Sequence, residues 1–313
     1  MNSILKTVPL VPCRVEYSVE QNPYQNLYID LTMRCNMDCN YCYNPVRSTS
    51  DMELSYFEEV CRRLPGPVDF RFLGGEPALH PQFFEFITTA RHYGHQVYFS
   101  SNGIRYTRPG FMEKLAALDV TYVAGLSMDG GHSSNDLYEL LNNERCLEQK
   151  MAALENLRKY GIKRVCLSAI ITRGENENVI GELVELAEQY SDVVRYIHFR
   201  SAAQVGRWIN TEPYTQAELK ELVRPYFNEE QFEPSCVREI YCTPEEGGTC
   251  CYRFRPTRRL QISLIEFATQ KSAMCPKRGK VLSEGFRIQP FFENMINAGE
   301  VMAHEYGEVL SST

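Results

Sequence analysis

The sequence predicts an α/β fold built on parallel strands, and three observations predict it. Short β-rich runs alternate with helical patterns, and such alternation joins parallel strands through right-handed crossovers. Most of those runs are apolar at successive positions, as strands covered on both faces are. The chain has 313 residues, 43% apolar and 23% charged, so a large core forms without disulfide staples. Six strand–helix units fit either a partial βα barrel or an open doubly wound sheet. In both, the reactive groups lie at the C-terminal ends of the strands.

The first strand candidate, Leu27–Thr32, alternates apolar Leu27, Ile29 and Leu31 with Tyr28, Asp30 and Thr32. Ser50 and Glu53 have capping-box spacing. They predict a helix opening there, with Phe57, Val60, Cys61 and Leu64 on its buried face. Val68–Leu73 is the second strand. Pro81 opens the next helix, which holds Phe83, Phe84, Ile87 and Ala90 and ends at Gly94. Gln96–Ser101 and Thr121–Met128 follow as strands. One long helical pattern runs from about Asp136 to Tyr160, where Gly161 stops it. Strand Arg164–Ile171, helix Glu175–Tyr190 and strand Val194–Ser201 complete the series. Thr215 and Glu218 make a second capping box ahead of Leu219, Leu222, Val223 and Tyr226. The domain plan is therefore an N-terminal segment (1–26), the strand–helix body (27–208), a helix and linker (209–235), and a smaller extension (236–313) with strand-like Leu260–Ile265.

A net charge of −7 disfavours a nucleic-acid surface. No apolar run approaches the roughly 20 residues of a membrane helix. Met1–Cys13 lacks the layout of a secretory signal, so a cytoplasmic protein is expected. Twelve cysteines are many for a reducing compartment, which makes metal ligation the first explanation to test. The strongest pattern is Cys35-x3-Cys39-x2-Cys42, directly after the first strand. Three thiolates on one loop suit an iron–sulfur cluster. No fourth cysteine follows in the loop, which leaves one iron open to a ligand. A zinc site and unrelated buried thiols are the alternatives.

That loop, with Tyr41 before its last cysteine, does not stand alone. Gly74-Gly75-Glu76-Pro77 follows the second strand, Ser101-Asn102-Gly103 the third, and Ser127-Met128-Asp129-Gly130 the fourth. Over about residues 27–208 the set resembles the radical S-adenosylmethionine (radical SAM) superfamily. The resemblance implies a partial (β/α)6 TIM-type barrel in which Cys35, Cys39 and Cys42 hold a [4Fe–4S] cluster. The amino and carboxylate groups of SAM would chelate its fourth iron. An electron from a flavodoxin- or ferredoxin-type donor would cleave SAM to methionine and a 5′-deoxyadenosyl radical, which takes hydrogen from substrate. The implied cofactor contacts are Tyr41 and the Gln204–Arg207 turn with Val205 near adenine, and Gly74, Gly75 and Glu76 at the methionine amino group. Ser127 would contact the ribose or carboxylate. Arg145 would meet the SAM carboxylate or remain a solvated helix charge. Asn102 is a polar wall or a turn residue, and Ser168 is placed for ribose hydroxyls. Asp129 touches substrate or makes an Asx-turn. His198 shares a face with Tyr196 and Arg200 and is a core histidine or a catalytic group.

Cys236, Cys242, Cys251 and Cys275 offer four thiols to a second iron–sulfur cluster, resembling a shortened auxiliary-cluster domain. The usual seven-cysteine pattern is absent, and a cluster-free lid over the barrel mouth is the equal alternative. Cys13, Cys61, Cys146 and Cys166 read as small buried residues. The expected activity is hydrogen abstraction from a small metabolite or natural-product intermediate. The 26 residues before the first strand are few for a leader-binding domain, so a peptide substrate is the alternative. Another class, a non-catalytic iron–sulfur or zinc protein, stands behind both.

Overall fold

The computed structural model describes residues 16–42, 48–202, 207, 212–232, 251–265, 278–283 and 285–290. Its strands are β1 (Tyr17–Ser18), β2 (Asn26–Thr32), β3 (Asp69–Gly74), β4 (Gln96–Phe99), β5 (Val123–Ser127), β6 (Val165–Ile171), β7 (Val194–Ser201), β8 (Cys251–Phe254), β9 (Gln261–Ile265), β10 (Arg278–Val281) and β11 (Arg287–Pro290). The helices are α1 (Leu54–Arg63), α2 (Phe83–His92), α3 (Pro109–Ala116), α4 (Asn135–Asn142), α5 (Leu147–Lys159), α6 (Val179–Gln189) and α7 (Gln216–Val223).

All the strands join one sheet, in the order β1-β11-β10-β2-β3-β4-β5-β6-β7-β9-β8. Strands β2 to β7 pair in parallel and in sequence, which is the partial barrel expected, and the sheet does not close. The extension does not form a separate layer among the described residues. Strand β9 adds in parallel to β7 and β10 adds in parallel to β2, so its pieces widen both edges of the main sheet.

One face of the sheet is apolar and carries the helices. Leu27, Ile29, Leu31, Phe70, Phe72, Phe99, Ile197 and Phe199 are fully buried there. By the two-residue period, the opposite face presents Tyr28, Asp30, Arg71, Tyr98, Ser127, Cys166, Ser168, His198 and Arg200. This face curls inward. The rings of Tyr98 on β4 and His198 on β7 lie 5.7 Å apart. In a flat sheet three strand spacings would separate them by roughly 14 Å.

Helix boundaries depart from the sequence pattern at several places, among them the start of α6, expected at Glu175 and found at Val179. Two departures have a clear physical reason. The helix expected to open at Ser50 starts at Leu54, with Glu53 as an N-cap that makes no side-chain cap bond. Residues 50–52 are bonded to the end of β2 instead. The amide of Met33 donates to the Ser50 carbonyl (3.0 Å), and that of Met52 donates to the Leu31 carbonyl (2.8 Å). The Thr32 hydroxyl donates to Asp51 (2.6 Å). The long pattern from Asp136 to Tyr160 is two helices, because Asn143 takes the left-handed conformation (φ 55°) and ends α4. The second capping box forms as predicted at Thr215 and Glu218.

Candidate active site

The cysteine loop leaves the C-terminal end of β2, and its shape is fixed by backbone contact with the turn after β3. The amide of Gly75 donates to the Thr32 carbonyl (2.7 Å), and that of Glu76 donates to the Arg34 carbonyl (2.7 Å). Gly74 (φ 115°) and Gly75 leave no space for a Cβ, which would collide with the carbonyls of Thr32 and Arg34. The closeness that the Gly–Gly pair permits is thus used by the cysteine loop itself.

Cys35, Cys39 and Cys42 are thiols rather than disulfides, and all are partly exposed. The Asn142 side-chain amide donates to the Cys39 sulfur (3.3 Å) and to the Tyr41 hydroxyl (2.8 Å). The Asn102 amide lies 4.0 Å from the Cys35 sulfur and donates to Asn36 (2.9 Å). The Tyr41 hydroxyl donates to the Asp129 carboxylate, whose other oxygen accepts from the Ile170 amide (2.8 Å). Asp129 therefore ties the loop to the ends of β5 and β6, and its side chain makes no Asx-turn. At the rim, Arg207 pairs with Asp38, and its backbone amide donates to the Cys42 carbonyl (3.1 Å). Met37, Tyr138 and Cys146 supply an apolar wall against which Cys35 and Cys39 pack.

Glu76 is 1% exposed, so its carboxylate is spent inside the protein. It accepts from the Ser101 hydroxyl (2.8 Å) and from the amides of Asn102 (2.7 Å) and Ala78 (3.1 Å). Burial pushes its pKa up, while those three donors and the Lys150 charge oppose the shift. Lys150, fully buried, donates to the Asn102 carbonyl (2.7 Å). Burial also pushes the free Cys39 thiol up to about 11 and raises the Tyr41 hydroxyl well above its ordinary value. A thiolate in that setting needs the positive charge that iron provides.

Among the described residues no three His, Cys, Asp or Glu side chains converge as ligands of a single metal ion would. Three thiols spread along one loop, with an amide donor near two of the sulfurs and, among the described residues, no side chain gathered with them as a fourth ligand, fit a cluster that offers each thiol its own iron.

The sequence-predicted residues divide as follows. Tyr41, Gly74, Gly75, Glu76, Asn102 and Asp129 gather around the cysteine loop. Ser127, Ser168 and His198 are register partners on adjacent strands, in one row of the inner face. His198 does not point into the helix-packed core. Burial, then Arg200, Arg71, Arg253 and Arg278, hold its pKa well below the usual histidine value, so its ring is neutral. Arg145 lies in the connection between α4 and α5, more than half exposed and paired with Asp136 and Glu139. Val205, Cys13, Cys236, Cys242 and Cys275 lie outside the described residues, and Cys251 is placed by its backbone alone at the start of β8. Cys61, Cys146 and Cys166 are buried and free. Ser101 entered sequence reasoning only as part of the Ser101-Asn102-Gly103 motif, and Asn142 and Lys150 were not singled out by it. Only Lys150 left a signal: a cation within the apolar stripe Leu147, Leu154, Leu157 of α5.

The profile described as the Radical SAM superfamily matches residues 29–187. The chain is 31% identical over 153 residues to the 7,8-dihydro-6-hydroxymethylpterin dimethyltransferase of Methanocaldococcus jannaschii, covering 48% of this chain and 29% of that protein. It is 31% identical over 150 residues to the mycofactocin maturase MftC of Mycobacterium tuberculosis, covering 47% of this chain and 37% of that one. The chain thus aligns with well under half the length of either relative. The structure of Streptococcus suis SuiB bound to precursor peptide SuiA superposes with a TM-score of 0.61 at 16% identity, over 92% of this chain and 65% of that one. At that identity the likeness is one of fold.

Proposed function

Because the chain belongs to the radical SAM superfamily, a family of enzymes that use a [4Fe–4S] cluster and SAM, we propose that it abstracts hydrogen from a small molecule held against the inner face of the curled sheet. Cys35, Cys39 and Cys42 would hold the cluster, which would supply the single electron for the reductive cleavage of SAM. The remaining work belongs to this chain's own groups. Asn142 and Asn102 orient the thiols, and the backbone of residues 32–34 and 74–76 fixes the loop. Tyr41, held by Asp129, lies between the loop and the ends of β5 and β6. Ser127 and Ser168 pair in register on the inner face, and in this reading Ser127 contacts the ribose or carboxylate of SAM and Ser168 its ribose hydroxyls.

The observation that carries the small-molecule reading is the narrowness of that interior, where Tyr98 and His198 meet from strands that a flat sheet would hold far apart. The name of the Methanocaldococcus relative, which acts on a pterin, supports the same substrate class. A flavodoxin- or ferredoxin-type donor in the cytoplasm belongs to the same proposal. The test is anaerobic: reconstituted protein, reductant and SAM should yield 5′-deoxyadenosine, and Cys39→Ala should yield none while keeping the wild-type circular dichroism spectrum. Cleavage that survives in the folded variant contradicts the assignment.

A further inference from the structure

Below the cysteine loop the inner face is cationic, and the chemistry proposed above does not use those charges. Arg71 on β3, Arg200 on β7, Arg253 on β8 and Arg278 on β10 all bear electrostatically on His198. They arise from strands spread across nearly the whole sheet, and only its curl brings them together. The chain as a whole carries a net charge of −7, so its composition does not account for this positive interior. Cations gathered in a partly desolvated space repel one another, and a bound anion reverses the balance. The inward-facing carboxylate of Asp30 is engaged by Lys280 at 3.1 Å.

Three groups point to a ligand independently of the charge count. Ser263 is 1% exposed, registers with His198 and Arg253, and its hydroxyl has no hydrogen-bond partner among the described residues. The Nδ1 of His198 is buried and likewise unpartnered among them. Arg71 has no carboxylate partner among them: its guanidinium lies over the Tyr98 ring (4.7 Å), makes one long bond to Asn26 (3.4 Å), and leaves Nε buried without an acceptor. Buried polar groups ordinarily find partners, and an orphaned cluster of them marks a place where something else binds.

We propose that Arg71, Arg278, His198 and Ser263 bind the anionic end of the substrate, a phosphate or carboxylate group on a small molecule. The guanidinium fork matches both groups. This inference rests on the small-molecule reading above and narrows it. Arg71 lies three residues before Gly74 on β3, roughly 10 Å down the strand. An anion gripped there leaves the rest of a small molecule extending up toward the cysteine loop.

The probes are inorganic phosphate, pyrophosphate and citrate, titrated calorimetrically into the full reconstituted chain. At least one should bind at millimolar or lower concentration, and Arg71→Met should weaken it by about tenfold or more. Arg71→Lys, which keeps the charge and loses the fork, should weaken it less. A preference for phosphate or pyrophosphate identifies a phosphate ester, and a preference for citrate identifies a polycarboxylate. Arg278→Met gives a second reading should Arg71→Met fail to fold. The inference is overturned if none of the three anions binds, or if both methionine variants bind as the wild type does. Failure of the radical SAM reading would show separately, as no 5′-deoxyadenosine from the wild-type protein.

Discussion

At Tyr41 a single hydroxyl joins the cysteine loop to the far side of the inner face. It donates to Asp129 and accepts from Asn142, which also reaches Cys39. Tyr41→Phe leaves the 2%-exposed Asp129 carboxylate with the Ile170 amide as its remaining donor among the bonds described. Removing one partner from a buried carboxylate costs about 1–3 kcal/mol. The variant should unfold at lower denaturant by that amount and show a raised KM for SAM with normal iron content. Unchanged stability and KM would mean that the hydroxyl does not position the loop. The cysteines were legible in the sequence because ligands on one loop need a fixed local spacing. Asn142 was not, since its contact with Cys39 depends on how α4 ends and packs, over a hundred residues along the chain. Glu76, Ser101 and Asn102 were each found as motif residues but their bonding to one another was not: each motif is local, whereas Ser101 and Asn102 reach Glu76 only through the pairing of neighbouring strands.

Elements were legible where their periodicity is a local property. The run Val194–Ser201 forms a strand with those bounds, and Thr215 with Glu218 caps α7 as predicted. The equally good signal at Ser50 and Glu53 failed because residues 50–52 pair with the end of β2, a competitor that no local pattern reveals. His95 shows how two such elements are joined. Its Nδ1 accepts from the Val68 amide at 3.3 Å and its Nε2 donates to the Cys61 carbonyl at 3.2 Å, so the start of β3 and the helix α1 share one neutral ring. Burial holds its pKa below the ordinary 6.5. The unfolded chain therefore binds the proton more readily, and the stability this ring contributes is complete above about pH 6.5 and lost as pH falls through the folded value. Moving from about pH 7.5 to about pH 5.5 should destabilise the wild type more than His95→Gln, as read by denaturant unfolding. Equal losses in the two proteins would exclude His95 as the cause.

For the whole molecule, the parallel body was legible from strand–helix alternation, but the fate of the extension was not. Leu260–Ile265 reads as a strand in sequence, yet only the fold shows that it lies beside β7, and that β10 lies beside β2 at the other edge. Both pairings are long-range and leave no local trace. Ser263 and Arg278 stand on those added strands, which extend the inner face beyond β2 to β7. The central claim remains the cluster held by three cysteines with one iron free for SAM. Electron paramagnetic resonance of the reduced, reconstituted protein tests it most directly, using SAM with an isotopically labelled amino nitrogen. Adding SAM should change the cluster's spectrum and reveal coupling to the label. A spectrum that is identical with and without SAM, and free of that coupling, would contradict the account.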